Sequence, residues 1–211
     1  MKKPSSESKA PFKLPSGSLL IVLSGPSGAG KDAVLNRMRE LGYPLVYITT
    51  TTTRPKRVTE TNGVDYNFVP EEKFQDMIAG NELLEWAQVY GNWYGVPRQP
   101  VEQALGNGQD VILKVDIQGA ATIKKIFPQA VLIFLIPPLM EELVTRLKER
   151  HNEPSFDLDL RVNTAEEEIK HLPLFDYAVW NKRDRIDRAV SDIKAIIQAE
   201  KCRVNPETVS S

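Results

Sequence analysis

The chain has 211 residues, with 27 Lys and Arg against 28 Asp and Glu, for a formal net charge of −1. That length suits one compact unit with a substantial core, and the balanced charge argues against a nucleic-acid surface held by bulk electrostatics while leaving room for a local anion pocket. No apolar stretch approaches a membrane span, and the single Cys202 permits no internal disulfide, which points to a reducing, cytoplasmic setting. Residues 1–18, rich in Ser, Lys and Pro, read as a disordered tail rather than a transit peptide, which would carry Arg. The first apolar strand spans 19–24 and the first helix 31–41. Between 47 and 94 the rhythm breaks: the threonine run 49–53, strand-like pieces such as 65–69, and one short helix at 71–79 read as a small β-rich insertion. Strands at 111–116, 130–136 and 177–181 follow, with helices over 119–127, 139–150, about 158–171, and 183–201. These strands are apolar almost throughout, which fits a parallel sheet covered on both faces. Their alternation with helices implies a right-handed α/β core. The polar stretch 150–157 reads as a flap between two helices.

The segment Gly25-Pro26-Ser27-Gly28-Ala29-Gly30-Lys31 follows a strand and opens a helix, the context in which G-x-x-x-x-G-K binds phosphate. Glycines let several N–H groups turn inward, the helix adds its positive end, and Lys31 reaches the outer phosphates. The motif expects Ser or Thr next, to hold Mg²⁺, but position 32 is Asp. A carboxylate beside a triphosphate is repelled unless it engages the metal or a nearby cation. Otherwise Asp32 is merely an acid favouring a helix N-terminus.

The run Thr50-Thr-Thr-Thr-Arg54-Pro-Lys-Arg57-Val-Thr-Glu60-Thr-Asn-Gly63-Val-Asp-Tyr66 resembles the acceptor-binding signature of guanylate kinases. Leu84-Glu85-Trp86-Ala87, Gly91-Asn-Trp-Tyr94-Gly95 and Val115-Asp116-Ile-Gln-Gly119 resemble its continuation, and the likeness covers about 19–197. Each residue type also suits the chemistry. Arg54 and Arg57, three apart, can place two planar forks on one phosphate, and Tyr66 and Tyr94 can add hydroxyl donors. The alternatives are a solvated basic turn and ordinary half-buried sheet tyrosines. Glu85 can accept from guanine N1–H and the 2-amino group, a pair of donors that adenine lacks. Left unpaired against AMP, a buried Glu costs ~1–3 kcal/mol or more; the alternative is a strand acid that simply faces water.

The resemblance implies a P-loop NTPase three-layer α/β core with a parallel sheet, a small GMP-binding insertion and a helical lid. Its domain would run over 19–203: core 19–46, 97–145 and 172–203, insertion 47–96, lid 146–171, then a tail at 204–211. It implies ATP-dependent phosphorylation of GMP, and of dGMP, to GDP with Mg²⁺, in a monomer or homodimer that engages neither nucleic acid nor membrane. By the same likeness Arg146, Arg150 and Arg161 match lid arginines that would join Lys31 and Arg54 in catalysis, and Asn181 lies on the ATP side with the 25–32 loop. Asp116 lies near both base and metal, so Asp32 and Asp116 are the expected metal ligands. Thr50 keeps a hydroxyl where relatives have Ser. Val96 replaces a base-contacting Ser or Thr, which implies weaker GMP binding. Where relatives have a second Asp two residues before Asp116, this chain has Lys114. Lys114 and Asp116 are expected to project together from one strand, and Asp32 and Lys114 to be a compensating exchange. His151 and His171 form no metal or triad pattern. A scaffold-type domain of the same fold, binding protein partners, is the rival reading, but such domains usually have damaged phosphate loops and Lys31 is intact.

Overall fold

The computed structural model of the chain describes residues 17–137, 139–148 and 158–203. The expected tail up to residue 16, the flap with Arg150 and His151, and the tail from 204 lie outside the described residues.

Strand β1 (Leu20–Ser24) is buried at every position, because its alternating side chains serve two separate cores. Leu20 and Val22 pack with Val101 and Leu105 of a helix at Arg98–Gly106 and with Ile123 of one at Ile117–Ile126. Ile21 and Leu23 face the other way. They meet Val34 and Met38 of α1 (Lys31–Glu40) and Val190 and Ile193 of the last helix, Ile186–Lys201. Period-two alternation thus puts helices on both faces, and each fully buried Leu, Ile or Val contributes about 1.5–3 kcal/mol.

In chain order the remaining elements are β2 (Val46–Tyr47), β3 (Thr51–Thr52), β4 (Asn67–Phe68), α2 (Glu71–Ala79), β5 (Leu83–Val89) and β6 (Asn92–Pro97). Then come α3 (Arg98–Gly106), β7 (Val111–Lys114), α4 (Ile117–Ile126), β8 (Val131–Ile136), α5 (Met140–Lys148), α6 (Leu158–Lys170), β9 (Tyr177–Trp180) and α7 (Ile186–Lys201). The core sheet runs β2-β7-β1-β8-β9 with all neighbours parallel. Val22 opposes Leu113 on one side and Leu132 on the other, so the loop after β1 emerges at the middle of the sheet's carboxyl edge. That is where open α/β sheets place their ligands. The expected parallel α/β core is therefore present.

A second sheet, β4-β3-β6-β5, occupies the stretch that breaks the rhythm. Its β5–β6 hairpin turns at Tyr90 and Gly91, with φ of 48° and 77°. Positive φ at both positions fits the two-residue turn whose twist matches paired strands. The threonines wire this sheet together: Thr52 Oγ1 donates to the Trp93 carbonyl, and Thr53 Oγ1 accepts from the Trp93 N–H, both at 2.9 Å. Helices α5 and α6 pack through Leu143 and Leu147 against Ala165 and Val162. Among the described residues no helix is long and apolar enough to cross a membrane.

Several expected elements are corrected. Sequence reading missed α3, because Pro97 and Pro100 look like breakers; both stand at the helix start, where proline is tolerated. The two-residue β2 was also missed. It brings Tyr47 into the core sheet opposite Ile112, one residue past the expected division at 46. Strand β9 lies at the sheet's edge, so only Val179 is buried, and it is not covered on both faces. The strand expected over 111–116 stops at Lys114, and α4 begins at Ile117 instead of 119.

Candidate nucleotide site

The loop between β1 and α1 is shaped by glycines that no other residue can replace without strain. Gly25 has φ 137°, and a Cβ there would collide with the Leu135 carbonyl oxygen of β8. Gly30 has φ 91°, and a Cβ would strike the Asn181 amide. Asn181 Nδ2 donates to the Ala29 carbonyl at 2.8 Å, so the residue after β9 holds the loop from behind. Arg146 joins it, donating to the Ala29 carbonyl at 3.3 Å and to the Asn181 carbonyl at 2.7 Å, and pairing with Glu142. Lys31 folds back on the loop, its Nζ donating to the Gly25 carbonyl and, at 3.1 Å, to that of Pro26.

In front of this loop lies a cavity of about 1020 Å³ that runs into the second sheet. Gly25, Ser27, Gly28, Gly30, Lys31 and Asp32 line one end, and Thr50, Arg54, Arg57, Tyr66, Glu85 and Tyr94 the other. Lys114, Asp116, Arg161 and Glu168 stand between. The structure therefore brings most of the expected residues to one space. Among the described residues Pro26, Ala29, Asn181 and Arg146 are the exceptions, and Arg146 is the one expected in catalysis. It is tied to the loop backbone and Glu142 and does not line the cavity, whereas Arg161 of α6 does, donating to Ser27 Oγ at 3.3 Å. Pro26, Ala29 and Asn181 do not line it, and Ala29 packs into the core.

At the far end two guanidinium groups share one carboxylate. Arg54 reaches Glu60 through both terminal nitrogens, at 2.7 and 3.1 Å, and Arg57 approaches the same carboxylate at 3.3 Å. The Arg57 backbone N–H also donates to Glu60, at 2.8 Å. Burial alone would raise the Glu60 carboxyl. Its bonds to Arg54 and to the Arg57 backbone outweigh that and hold it below the usual range. Arg54 also stacks over Tyr66, 5.4 Å from the ring centre, and Tyr66 meets Tyr94 edge-on at 6.0 Å. Glu60 was missed as a site residue; its spacing after both arginines is the signal that identifies it.

Glu85 sits where the β5–β6 register slips, between Leu83 and Glu85. Such irregularities re-aim side chains, and here Leu84 enters the core while Glu85 enters the cavity. Only 4% of Glu85 is exposed, and its Oε2 finds no hydrogen-bond partner among the described residues. Burial, with the nearby Asp116 charge second, pushes its carboxyl up to about 8. Gly119 makes room for it, since a Cβ there would stand 2.9 Å from Oε2. Val96 lies opposite Glu85 in register but is fully buried in the apolar core and does not line the cavity.

Asp116 does not project from the strand beside Lys114 as expected. Past the strand end it caps α4, its Oδ1 accepting from the Gly119 N–H at 2.8 Å. Burial raises its carboxyl, with that bond and Lys31 opposing. Lys114 instead pairs with Asp32 across the mouth of the loop, its Nζ 3.8 Å from the centre of the Tyr66 ring. Burial alone would lower the Lys114 ammonium. Tyr66 and Asp32 overcome that and raise it, so it stays charged.

The guanylate kinase family profile matches residues 18–200. A guanylate kinase of Carboxydothermus hydrogenoformans is 44% identical over 185 residues, covering 88% of this chain and 90% of that one. The rice (Oryza sativa subsp. japonica) protein named guanylate kinase 2, chloroplastic/mitochondrial, is 44% identical over 204 residues, or 96% of this chain and 72% of its own. Among solved structures, guanylate kinase from Anaplasma phagocytophilum superposes with a TM-score of 0.74 at 33% identity, covering 90% of each chain. With the profile spanning nearly all the described residues, and with a glycine loop facing paired arginines and a buried Glu, this chain belongs to the guanylate kinase family.

Proposed function

We infer that the chain transfers the γ-phosphoryl group of ATP to GMP, giving ADP and GDP, with dGMP as an alternative acceptor. The observation that carries this reading is one cavity with a glycine loop at one end and Arg54, Arg57 and Glu85 at the other. ATP phosphates would lie on the 25–31 loop, with Lys31 released from its carbonyls to the outer phosphates. The GMP phosphate would meet Arg54 and Arg57, pre-aligned by Glu60, and the hydroxyls of Tyr66 and Tyr94. Guanine would donate from N1–H and its 2-amino group to the Glu85 carboxylate, with Thr50 and Asp116 beside it. Val96 offers no hydroxyl, so selection of guanine rests on those three.

The acceptor oxygen needs no protein base, because a nucleotide phosphate is largely dianionic at neutral pH, with a second pKa of ~6. Holding the two phosphates in line and neutralising their charge supplies most of the rate. Arg161 is the helical arginine that already faces the transfer zone. Arg146 serves by fixing the loop through Ala29 and Asn181. Mg²⁺ takes one or two carboxylates plus substrate phosphates. Asp32 and Asp116, which both line the cavity, would supply those carboxylates, though no cluster of three or more ligating side chains occurs among the described residues. When bound, Mg²⁺ would neutralise charge on the transferring group. The lone, exposed Cys202 fits a reducing compartment, and we assign the activity to the cytoplasm.

A coupled assay with ATP tests this, with GMP, dGMP, AMP, UMP and CMP as acceptors, with and without Mg²⁺. The expected result is a kcat/KM for GMP at least about 100-fold above that for AMP, lost by a similar factor in Lys31→Ala. Equal rates with AMP, or an unimpaired Lys31→Ala, would overturn the reading.

A further inference from the structure

Glu168 lies on α6 two turns after Arg161, far in sequence from the glycine loop, yet it reaches that loop. Its Oε2 accepts from the Ser27 backbone N–H at 3.3 Å. On the same helix, Arg161 holds Ser27 Oγ and stacks over the Tyr90 ring at 4.7 Å. An inward-facing N–H of a glycine loop is the donor that phosphate oxygens use. A carboxylate bonded to it, in the field of Lys31, does chemically what a phosphate oxygen would do.

We propose that Glu168 is a built-in phosphate stand-in: its carboxylate occupies the Ser27 N–H of the loop, and a bound polyphosphate expels it. This rests on the reading that the loop takes the ATP phosphates. Two anions cannot share the site without strong repulsion, so nucleotide binding turns Glu168 out, and α6 shifts relative to the loop. Arg161 then leaves Ser27 for the transferring phosphoryl group. Burial raises the Glu168 carboxyl, while Lys31 and the Ser27 N–H oppose that rise. Holding an anion there is costly, and its expulsion toward water recovers part of that cost. Glu168 is thus a positioning residue that sets affinity for the phosphate chain and leaves the GMP pocket untouched.

Glu168→Gln keeps the shape and an acceptor oxygen but removes the charge, and Glu168→Ala removes the group. Calorimetry on the full chain, with both variants checked for a cooperative melt, would compare inorganic tripolyphosphate, an unreactive ATP analogue, adenosine and GMP. Tripolyphosphate and the analogue should bind both variants roughly three- to tenfold tighter, because the competing anion is lost. Adenosine and GMP should bind as in the unaltered protein, and the KM for ATP should fall with no gain in kcat. Unchanged or weaker tripolyphosphate binding in a variant that melts cooperatively overturns the proposal. If the unaltered chain binds neither tripolyphosphate nor the analogue, the phosphate-loop reading fails and the proposal with it.

Discussion

Glu85 is a carboxyl among apolar neighbours whose free oxygen points at a ligand-sized space, and its proton carries a consequence. Guanine presents N1–H and an amino group, both donors, so GMP favours the ionised acid. In the unliganded protein that acid is held near 8. Binding must therefore release a proton, and affinity for GMP should rise between pH 7 and 8.5. The phosphate of GMP, with a second pKa of ~6, has finished titrating below that window. Stability of the unliganded fold has the opposite dependence: it falls as pH climbs from the ordinary 4.5 toward 8, because the unfolded chain gives up this proton first. Glu85→Gln should flatten the affinity rise and weaken GMP by roughly 10- to 100-fold. Calorimetry in buffers of different ionisation enthalpy reads both; a flat profile in the unaltered protein would contradict this account. At this scale the sequence was legible where a residue's chemistry was odd for its surroundings, as with Glu85 or Asp32. It was silent on Glu168, an acid in an acidic run (Glu166, Glu167, Glu168) that looks solvated until α6 is laid on the loop.

At the scale of elements, the Asp32–Lys114 pair joins the first turn of α1 to the end of β7. The exchange read from two departures in the sequence is here a direct ion pair, with Asp32 partly exposed and Lys114 largely buried. If the pair balances charge beside the phosphates, removing either member alone leaves an uncompensated charge, and removing both should cost less than the sum. A double-mutant cycle of Asp32→Asn and Lys114→Gln on kcat/KM should give a coupling of at least about 1 kcal/mol, against additivity within about 0.5 kcal/mol for independent sites. Additive losses would show that the two departures are unrelated. Elements with a continuous apolar run, such as β1 and β8, were legible from composition alone. The misread ones obey local rules that periodicity cannot see. Prolines at the start of α3 permit a helix, and Asp116 behaves as a helix cap instead of a strand residue because α4 begins at once. The resemblance places Arg146 in the chemistry, whereas α5 aims it at the carbonyls of Ala29 and Asn181.

At the scale of the whole molecule, the parallel sheet fixes the phosphate loop at its carboxyl edge while the second sheet carries the paired arginines and Glu85. The expected fold class follows from burial on both faces of a sheet. The architecture of the second sheet did not, since β3 and β4 are two residues each and are held by threonine side chains as much as by strand pairing. The central claim is that two nucleotides lie end to end between these sheets. A crystal structure of the chain with GMP and an unreactive ATP analogue tests it most directly. The account predicts the GMP phosphate against Arg54 and Arg57, guanine on Glu85, and the analogue's phosphates on the 25–31 loop with Glu168 displaced from Ser27. A cavity left empty, or a loop still closed off by the Asp32 side chain, would contradict it.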